Sequence, residues 1–236
     1  MPQTLHYLKA ESLAFPAPEL ALKDPNGLLA IGGDLSPERL IAAYSQGIFP
    51  WFNVDDPIIW WCPSPRAVIP VKDIRINRTL AKCIKKHYFQ VTLNQDFNQV
   101  IEQCAHAPFR KQGTWIVDDM IEAYKKLHLL GYAHSIEVWL NNQLVGGLYG
   151  VAINGYFSGE SMFYCHSNAS KVALVTLAKL LASIDVEYID CQISNTFLQD
   201  MGCIDVNRKQ FVELQQNAIT KVPPIDFWQQ RMLDMV

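Results

Sequence analysis

The sequence predicts an α+β fold, and two observations carry that expectation. The first is an element order of strand, strand, strand, helix, strand between His134 and Gln192. The second is a pair of tight-turn signals, Asn141-Asn142 and Asn154-Gly155, which make neighbours of the strands they separate. In the first strand Ile136, Val138 and Leu140 alternate with Ser135, Glu137 and Trp139, the period expected of a half-buried strand. The second, Gln143 to Ile153, is apolar but contains Gly146, Gly147 and Gly150. Glycine inside a strand marks a bulge or a close approach to the backbone. The third, Tyr156 to Phe163, sets Glu160 among small and apolar neighbours, where a carboxylate is not expected to be idle. Asn168 and Ser170 are both suited to cap the helix that follows, which runs to about Ser183. Val172, Ala173, Leu174, Val175, Leu177, Leu180 and Leu181 make it apolar nearly all round, so it should lie buried on the sheet. In the last strand, Tyr188 to Ile193, the period of two is expected to set Asp190 and Gln192 side by side on one face.

The bulk properties exclude several classes. A chain of 236 residues makes one large domain or two modest ones with ample core. Half of it is hydrophobic and 18% charged, the composition of a globular rather than a disordered protein. The formal net charge of -3 argues against general affinity for nucleic acid but leaves room for a local basic patch. No apolar run reaches the roughly 18 residues of a membrane span, and Met1 to Ala10 lacks a signal-peptide core, so a cytosolic protein is expected. The six cysteines show no CxxC pair and are expected to be reduced, mostly buried thiols. Cys104 and His106 alone do not make a metal site, and no cofactor is implied.

The first sixty residues have a character of their own. Asn26-Gly27 and Gly32-Gly33 give turns around the short apolar run Leu28 to Ile31. Ser36-Pro37-Glu38 then opens a helix with a cap, a proline at its first position and an early acid, closing near Gly47. An aromatic concentration follows, from Ile48-Phe49-Pro50-Trp51-Phe52 to Trp60-Trp61. These rings suit either a packed inter-domain seam or, for Trp51 above all, the lining of a ligand pocket.

From Asn77 the chain turns basic. Asn77 caps a helix on which Arg78, Lys82, Lys85 and Lys86 fall on one face while Leu80 and Ile84 turn to the core. Such a face is either solvated surface or a seat for a phosphate backbone. Asp96 starts another helix to about Cys104. Thr114-Trp115-Ile116 leads into a third, with Asp118 and Asp119 in its first turn and Gly131 stopping it. A last helix is expected around Arg208 to Asn217.

Nine motifs in order then match a known family. They are Gly32-Gly33-Asp34-Leu35-Ser36, Gly47-Ile48-Phe49-Pro50-Trp51-Phe52, Trp60-Trp61 with Pro65-Arg66, Thr114-Trp115-Ile116, His134-Ser135-Ile136-Glu137, Gly146-Gly147-Leu148-Tyr149-Gly150, Gly159-Glu160-Ser161-Met162-Phe163, Ala169-Ser170-Lys171 and Ile189-Asp190-Cys191-Gln192. Together they resemble leucyl/phenylalanyl-tRNA–protein transferase over nearly the whole chain. The resemblance implies a small N-terminal domain, 1–64, followed by a GNAT-like acyltransferase domain, 65–236, with a mixed, mostly antiparallel sheet flanked by helices. It implies transfer of Leu or Phe from aminoacyl-tRNA to proteins beginning with Arg or Lys, making an N-end rule degradation signal, and leaves open whether Met is also a donor. A monomer that does not engage membranes is expected.

For the site, the resemblance implies that Asp190 orients Gln192, that the pair positions the attacking amine, and that Glu160 holds amino or ribose groups of the substrates. It maps an amino-acid pocket onto Trp51, Trp115, Leu148, Met162, Leu174, Leu177, Leu181 and Ile189, and tRNA contacts onto Arg78, Lys82, Lys85 and Lys86. Leu148 stands where the family commonly has Met, and Leu177 and Leu181 where it can have Phe, so the ranking of Phe against Leu is open. Two other readings compete. An acyl-CoA-dependent N-acetyltransferase would need a Gly-rich turn before the buried helix, and Tyr164 to Ser170 has no glycine. A non-catalytic RNA-binding module would leave Glu160, Asp190 and Gln192 unexplained.

Overall fold

The computed structural model describes residues 4–107 and 114–234, which form two sheets. The smaller has four strands, β1 (His6–Leu8), β2 (Leu28–Gly32), β3 (Phe49–Pro50) and β4 (Ile59–Trp61), in the order β1-β2-β4-β3. Helix α1 (Pro37–Tyr44) lies between β2 and β3, and the Ser36 hydroxyl accepts the Arg39 N–H as the sequence predicts.

The larger sheet contains β5 (Arg66–Pro70), β6 (Gln90–Leu93), β7 (Ala133–Leu140), β8 (Gln143–Ile153), β9 (Tyr156–Tyr164), β10 (Tyr188–Gln192), β11 (Ile204–Val206) and β12 (Arg231–Leu233). Their order is β11-β5-β10-β9-β8-β7-β6-β12, and every pairing is antiparallel except that of β9 with β10. The α+β expectation of a mixed, mostly antiparallel sheet therefore holds. The turns do what their residues allow: Asn141, Asn142 and Asn154 all take positive φ, which their short polar side chains tolerate.

The helices are α2 (Arg78–Lys85), α3 (Phe97–Ala105), α4 (Asp118–Leu129), α5 (Ala169–Ala182), α6 (Thr196–Asp200) and α7 (Arg208–Ile219). One face of the large sheet packs on α5 and α2, with Leu148, Phe157, Leu174 and Ile189 in that core. The opposite face packs on α3, α4 and α7, and its core runs on without a break into the small sheet through Tyr44, Trp60, Tyr124, Tyr149 and Phe211.

Three local expectations are corrected. Strand β7 is buried on both faces rather than half-buried, because Ser135 and Glu137 are paired within the protein. The Glu137 carboxylate accepts from the Ser135 and Thr92 hydroxyls and from the Gln95 N–H, which removes the need for water. Asn168 stands at the cap position of α5 but with φ +67 and no side-chain bond into the helix, so it turns the chain instead of capping it. All six cysteines are free, yet only Cys62 and Cys104 are buried, and Cys165 is exposed.

The glycines of β8 serve both expected purposes. A Cβ on Gly146 would collide with Ala169, so its bareness lets α5 sit against the strand, and the β8–β9 register slips at Gly150. At the C-terminal end, β12 pairs with β6, and Trp228 stacks on His134 with ring centroids 4.0 Å apart.

Candidate active site

Strands β9 and β10 meet at a single register pair, Ser158 with Asp190. Where they part, a cavity of about 550 Å³ opens, walled by Leu148, Met162, Leu174, Leu177 and Ile189 together with Glu160, Cys191 and Gln192. A parallel pair that splays needs side chains, not backbone, to line the gap. Here they come from β9 and β10, from the neighbouring β8, and from α5 and α6.

Five of the eight residues mapped to an amino-acid pocket thus share one wall. Trp51 and Trp115 do not: they line a neighbouring cavity of about 150 Å³ with Phe49 and Pro50. Glu160, Cys191, Gln192 and Ile193 border both spaces, so Glu160 and Gln192 stand where the two meet. Leu181 is in neither. It is fully buried in the core under α5, where it packs as structure and does not wall a cavity.

The expected pairing of Asp190 and Gln192 on one face does not form, because the β5–β10 register slips between them. The Ile193 N–H closes back on the Cys191 carbonyl at 2.7 Å, making a three-residue turn around Gln192, whose φ is +56. A non-glycine residue held in that region carries strain, and strain of this kind gathers at functional sites. The turn leaves Gln192 beside both cavities and directs Asp190 inward.

Asp190 is fully buried and its carboxylate is fully engaged. It receives Arg66 Nε at 2.8 Å and Nη2 at 2.7 Å, the Tyr156 hydroxyl, and the Gln192 N–H at 3.0 Å. The Arg66 guanidinium lies between two rings, 4.9 Å from the centre of Phe49 and 4.3 Å from that of Phe211. Burial works against its charge, but the Asp190 carboxylate more than offsets that, so its pKa lies above the ordinary value.

The Gln192 amide continues into a chain of hydrogen bonds. Nε2 donates to Ser158 Oγ at 2.7 Å, Ser158 Oγ donates to Glu160 Oε1 at 3.0 Å, and the Tyr124 hydroxyl donates to Glu160 Oε2 at 3.1 Å. Tyr44, from α1, completes it through its hydroxyl on Tyr124. Burial raises the Glu160 carboxyl to about 7, with the Asp190 charge adding to it and the bonds from Tyr44, Ser158 and Tyr124 opposing. A carboxyl that titrates near neutrality in a cleft has the pKa of a proton acceptor. Arg66, Tyr156, Ser158, Tyr124 and Tyr44 are the residues that reading the sequence for function missed. Arg66 is 124 positions from Asp190, and no local pattern announces such a partner.

Arg78, Lys82, Lys85 and Lys86 stand away from the cavities, exposed along α2, whose buried side carries Leu80 and Ile84. Asn77 caps that helix, accepting the Leu80 N–H at 2.9 Å. None of the four forms an ion pair among the described residues. Helix α2 packs against α5, so the basic face and the cavity wall are mounted on neighbouring helices.

Comparison with known proteins adds to this geometry. A family model described as leucyl/phenylalanyl-tRNA protein transferase matches residues 68–216, and that of its N-terminal domain matches residues 33–64. Among curated relatives, leucyl/phenylalanyl-tRNA–protein transferase of Colwellia psychrerythraea is 60% identical with full coverage of both chains. That of Idiomarina loihiensis is 48% identical over 97% of each. Among solved structures, a GCN5-related N-acetyltransferase-like protein from Streptococcus suis aligns with 13% identity and a TM-score of 0.35, covering 60% of this chain and 58% of its own. Matched by both family models and by full-length relatives, the chain belongs to the leucyl/phenylalanyl-tRNA protein transferase family.

Proposed function

We propose that this protein transfers Leu or Phe from aminoacyl-tRNA to the N-terminal amine of proteins beginning with Arg or Lys, and so marks them for degradation. The observation that carries the reading is the junction of an apolar slot with the Gln192–Ser158–Glu160 chain. The slot takes the donor's side chain: burying a large aliphatic or aromatic group is worth roughly 1.5 to 3 kcal/mol, which selects by size. Walls close to the donor's Cβ reject a second branch there, which excludes Ile and Val while passing Leu and flat Phe.

The donor ester is already activated, so the protein's task is alignment. The acceptor amine, with an ordinary pKa near roughly 7.7 to 8, is partly neutral at cytosolic pH. The Gln192 amide commits Nε2 to Ser158 and has Oε1 left to orient the amine. The amine nitrogen bonds to the ester carbonyl carbon, the carbon–oxygen bond to the ribose breaks, and the departing ribose oxygen takes up a proton. Glu160, which itself borders both cavities, is the group that accepts the amine's proton. The smaller cavity, with Trp51 and Trp115, suits the cationic side chain of an N-terminal Arg or Lys, since indole faces attract cations. The basic face of α2 carries the body of the tRNA.

The test is incubation of the pure protein with radiolabelled Leu-tRNA and a peptide starting with Arg. Label in the peptide is expected, at far lower yield when the peptide starts with Ala. Binding of the tRNA without any transfer would instead indicate an RNA-binding module.

A further inference from the structure

We propose that a third cavity, next to the donor slot, seats the phosphate and base adjoining the donor's terminal adenosine, with Lys171 on the phosphate and Tyr164 and Phe197 as stacking surfaces. This rests on the donor being an aminoacyl-tRNA. The cavity measures about 810 Å³ and is lined by Tyr164, Cys165, Ser167, Asn168, Ser170, Lys171 and Phe197. Tyr164, Ser170 and Phe197 also line the donor slot, so the two spaces share a wall.

Its chemistry fits single-stranded nucleic acid. Lys171 is partly buried and forms no ion pair among the described residues, and its ammonium is held 5.7 Å from the centre of the Phe197 ring. Among the described residues no carboxylate lines the cavity. A half-desolvated cation without a counter-ion favours an anion, and the aromatic rings beside it offer the faces on which bases stack. A peptide acceptor supplies an anion only where it carries an acidic side chain, whereas every internucleotide link carries one.

Its position fits as well. The segment 164–168 packs on the start of β6 through His166, whose ring meets Phe89 edge-on at 5.3 Å. Phe89 follows Tyr88, whose hydroxyl accepts from Lys86 Nζ at 3.1 Å. Lys86, at the end of α2, is thus connected through Tyr88, the buried Phe89 and His166 to the segment that lines the third cavity, and that cavity shares a wall with the donor slot. A strand leaving a duplex held at α2 would cross this cavity to deliver its last residue.

The experiment compares three donors, leucyl-adenosine, a leucylated CCA trinucleotide and full Leu-tRNA, in wild type and in Lys171→Gln. The expected result is a KM raised about tenfold for the trinucleotide and the tRNA, the scale of one charge-assisted hydrogen bond, and less than twofold for leucyl-adenosine, which has no phosphate. Lys171→Arg should restore most of the loss. An equal effect on all three donors would make Lys171 a support of the slot and overturn the proposal. So would no effect on any, or an effect on full tRNA alone, which would move the contact to the tRNA body. Absence of transfer by wild type with every donor would instead count against the transferase reading itself.

Discussion

Asp190 holds Gln192 by its backbone and not by its side chain: Oδ1 accepts the Gln192 N–H at 3.0 Å, while the Gln192 amide reaches away to Ser158. The buried ion pair with Arg66 is thereby converted into the left-handed turn that presents Gln192 to both cavities. The two residues are expected to fail in different ways when changed.

Asp190→Asn leaves Arg66 buried with its counter-charge gone, which should cost about 3 to 5 kcal/mol of stability and lower transfer as a consequence. Gln192→Gly removes the amide but relieves the positive φ, so the melting temperature should rise, by an amount corresponding to about 1 kcal/mol, while kcat falls. Thermal unfolding and steady-state kinetics on the two variants check this. If both melt alike and lose activity alike, the division of labour is wrong.

Glu160 should set a pH dependence of both activity and stability. Its carboxyl is raised to about 7 in the folded protein, above an ordinary value near 4.5. Between those two values the folded state binds more protons than the unfolded one, so this group's contribution to stability declines as pH rises from about 4.5 to 7 and is constant above. In kcat/KM, a limb with a midpoint near 7 should appear for wild type and vanish in Glu160→Gln, leaving only the titration of the acceptor amine. Melting curves at pH 5 and pH 8 should differ less for Glu160→Gln than for wild type.

Reversing any two charges among Arg78, Lys82, Lys85 and Lys86 should weaken tRNA binding and spare transfer from leucyl-adenosine. Four phosphate contacts correspond to a slope of log affinity on log salt of about -3, which the double reversal should flatten. Filter binding over a salt series measures it, and equal loss with both donors would indicate misfolding.

Met162→Ala should enlarge the donor slot and relax discrimination against Ile by about 1 kcal/mol or more, the scale of a methylene difference in an apolar pocket. Leu177→Phe should alter the ranking of Phe against Leu for the same reason. Leu181→Ala is the contrast: a cavity in the core should cost about 2 to 5 kcal/mol without changing that ranking. Competition between charged tRNAs, read beside unfolding curves, separates the two kinds of leucine.

The middle of the fold was legible because its instructions are local. Paired asparagines and Asn-Gly dictate turns, Ser36-Pro37-Glu38 and Asn77 dictate helix starts, and an apolar helix has to be covered. The short strands β5, β6, β11 and β12 lie outside that reach, since pairing with distant partners and not periodicity makes them strands. The same limit applied to the site. Glu160 was conspicuous as a carboxylate among apolar neighbours, but Tyr44 and Tyr124 sit on buried helical faces where a tyrosine reads as core. The register slip at Gln192 was invisible because nothing about glutamine favours a left-handed turn; the Asp190–Arg66 pair imposes it from outside.

The ring that completes the hydrogen bonding of Glu160 belongs to Tyr44, and one of the two rings that clasp Arg66 belongs to Phe49, both from the small-sheet end of the chain. A fragment starting at Ser64 would retain every strand of the donor slot and yet have no Tyr44 and no Phe49. The missing piece, added back in trans, is what could restore it.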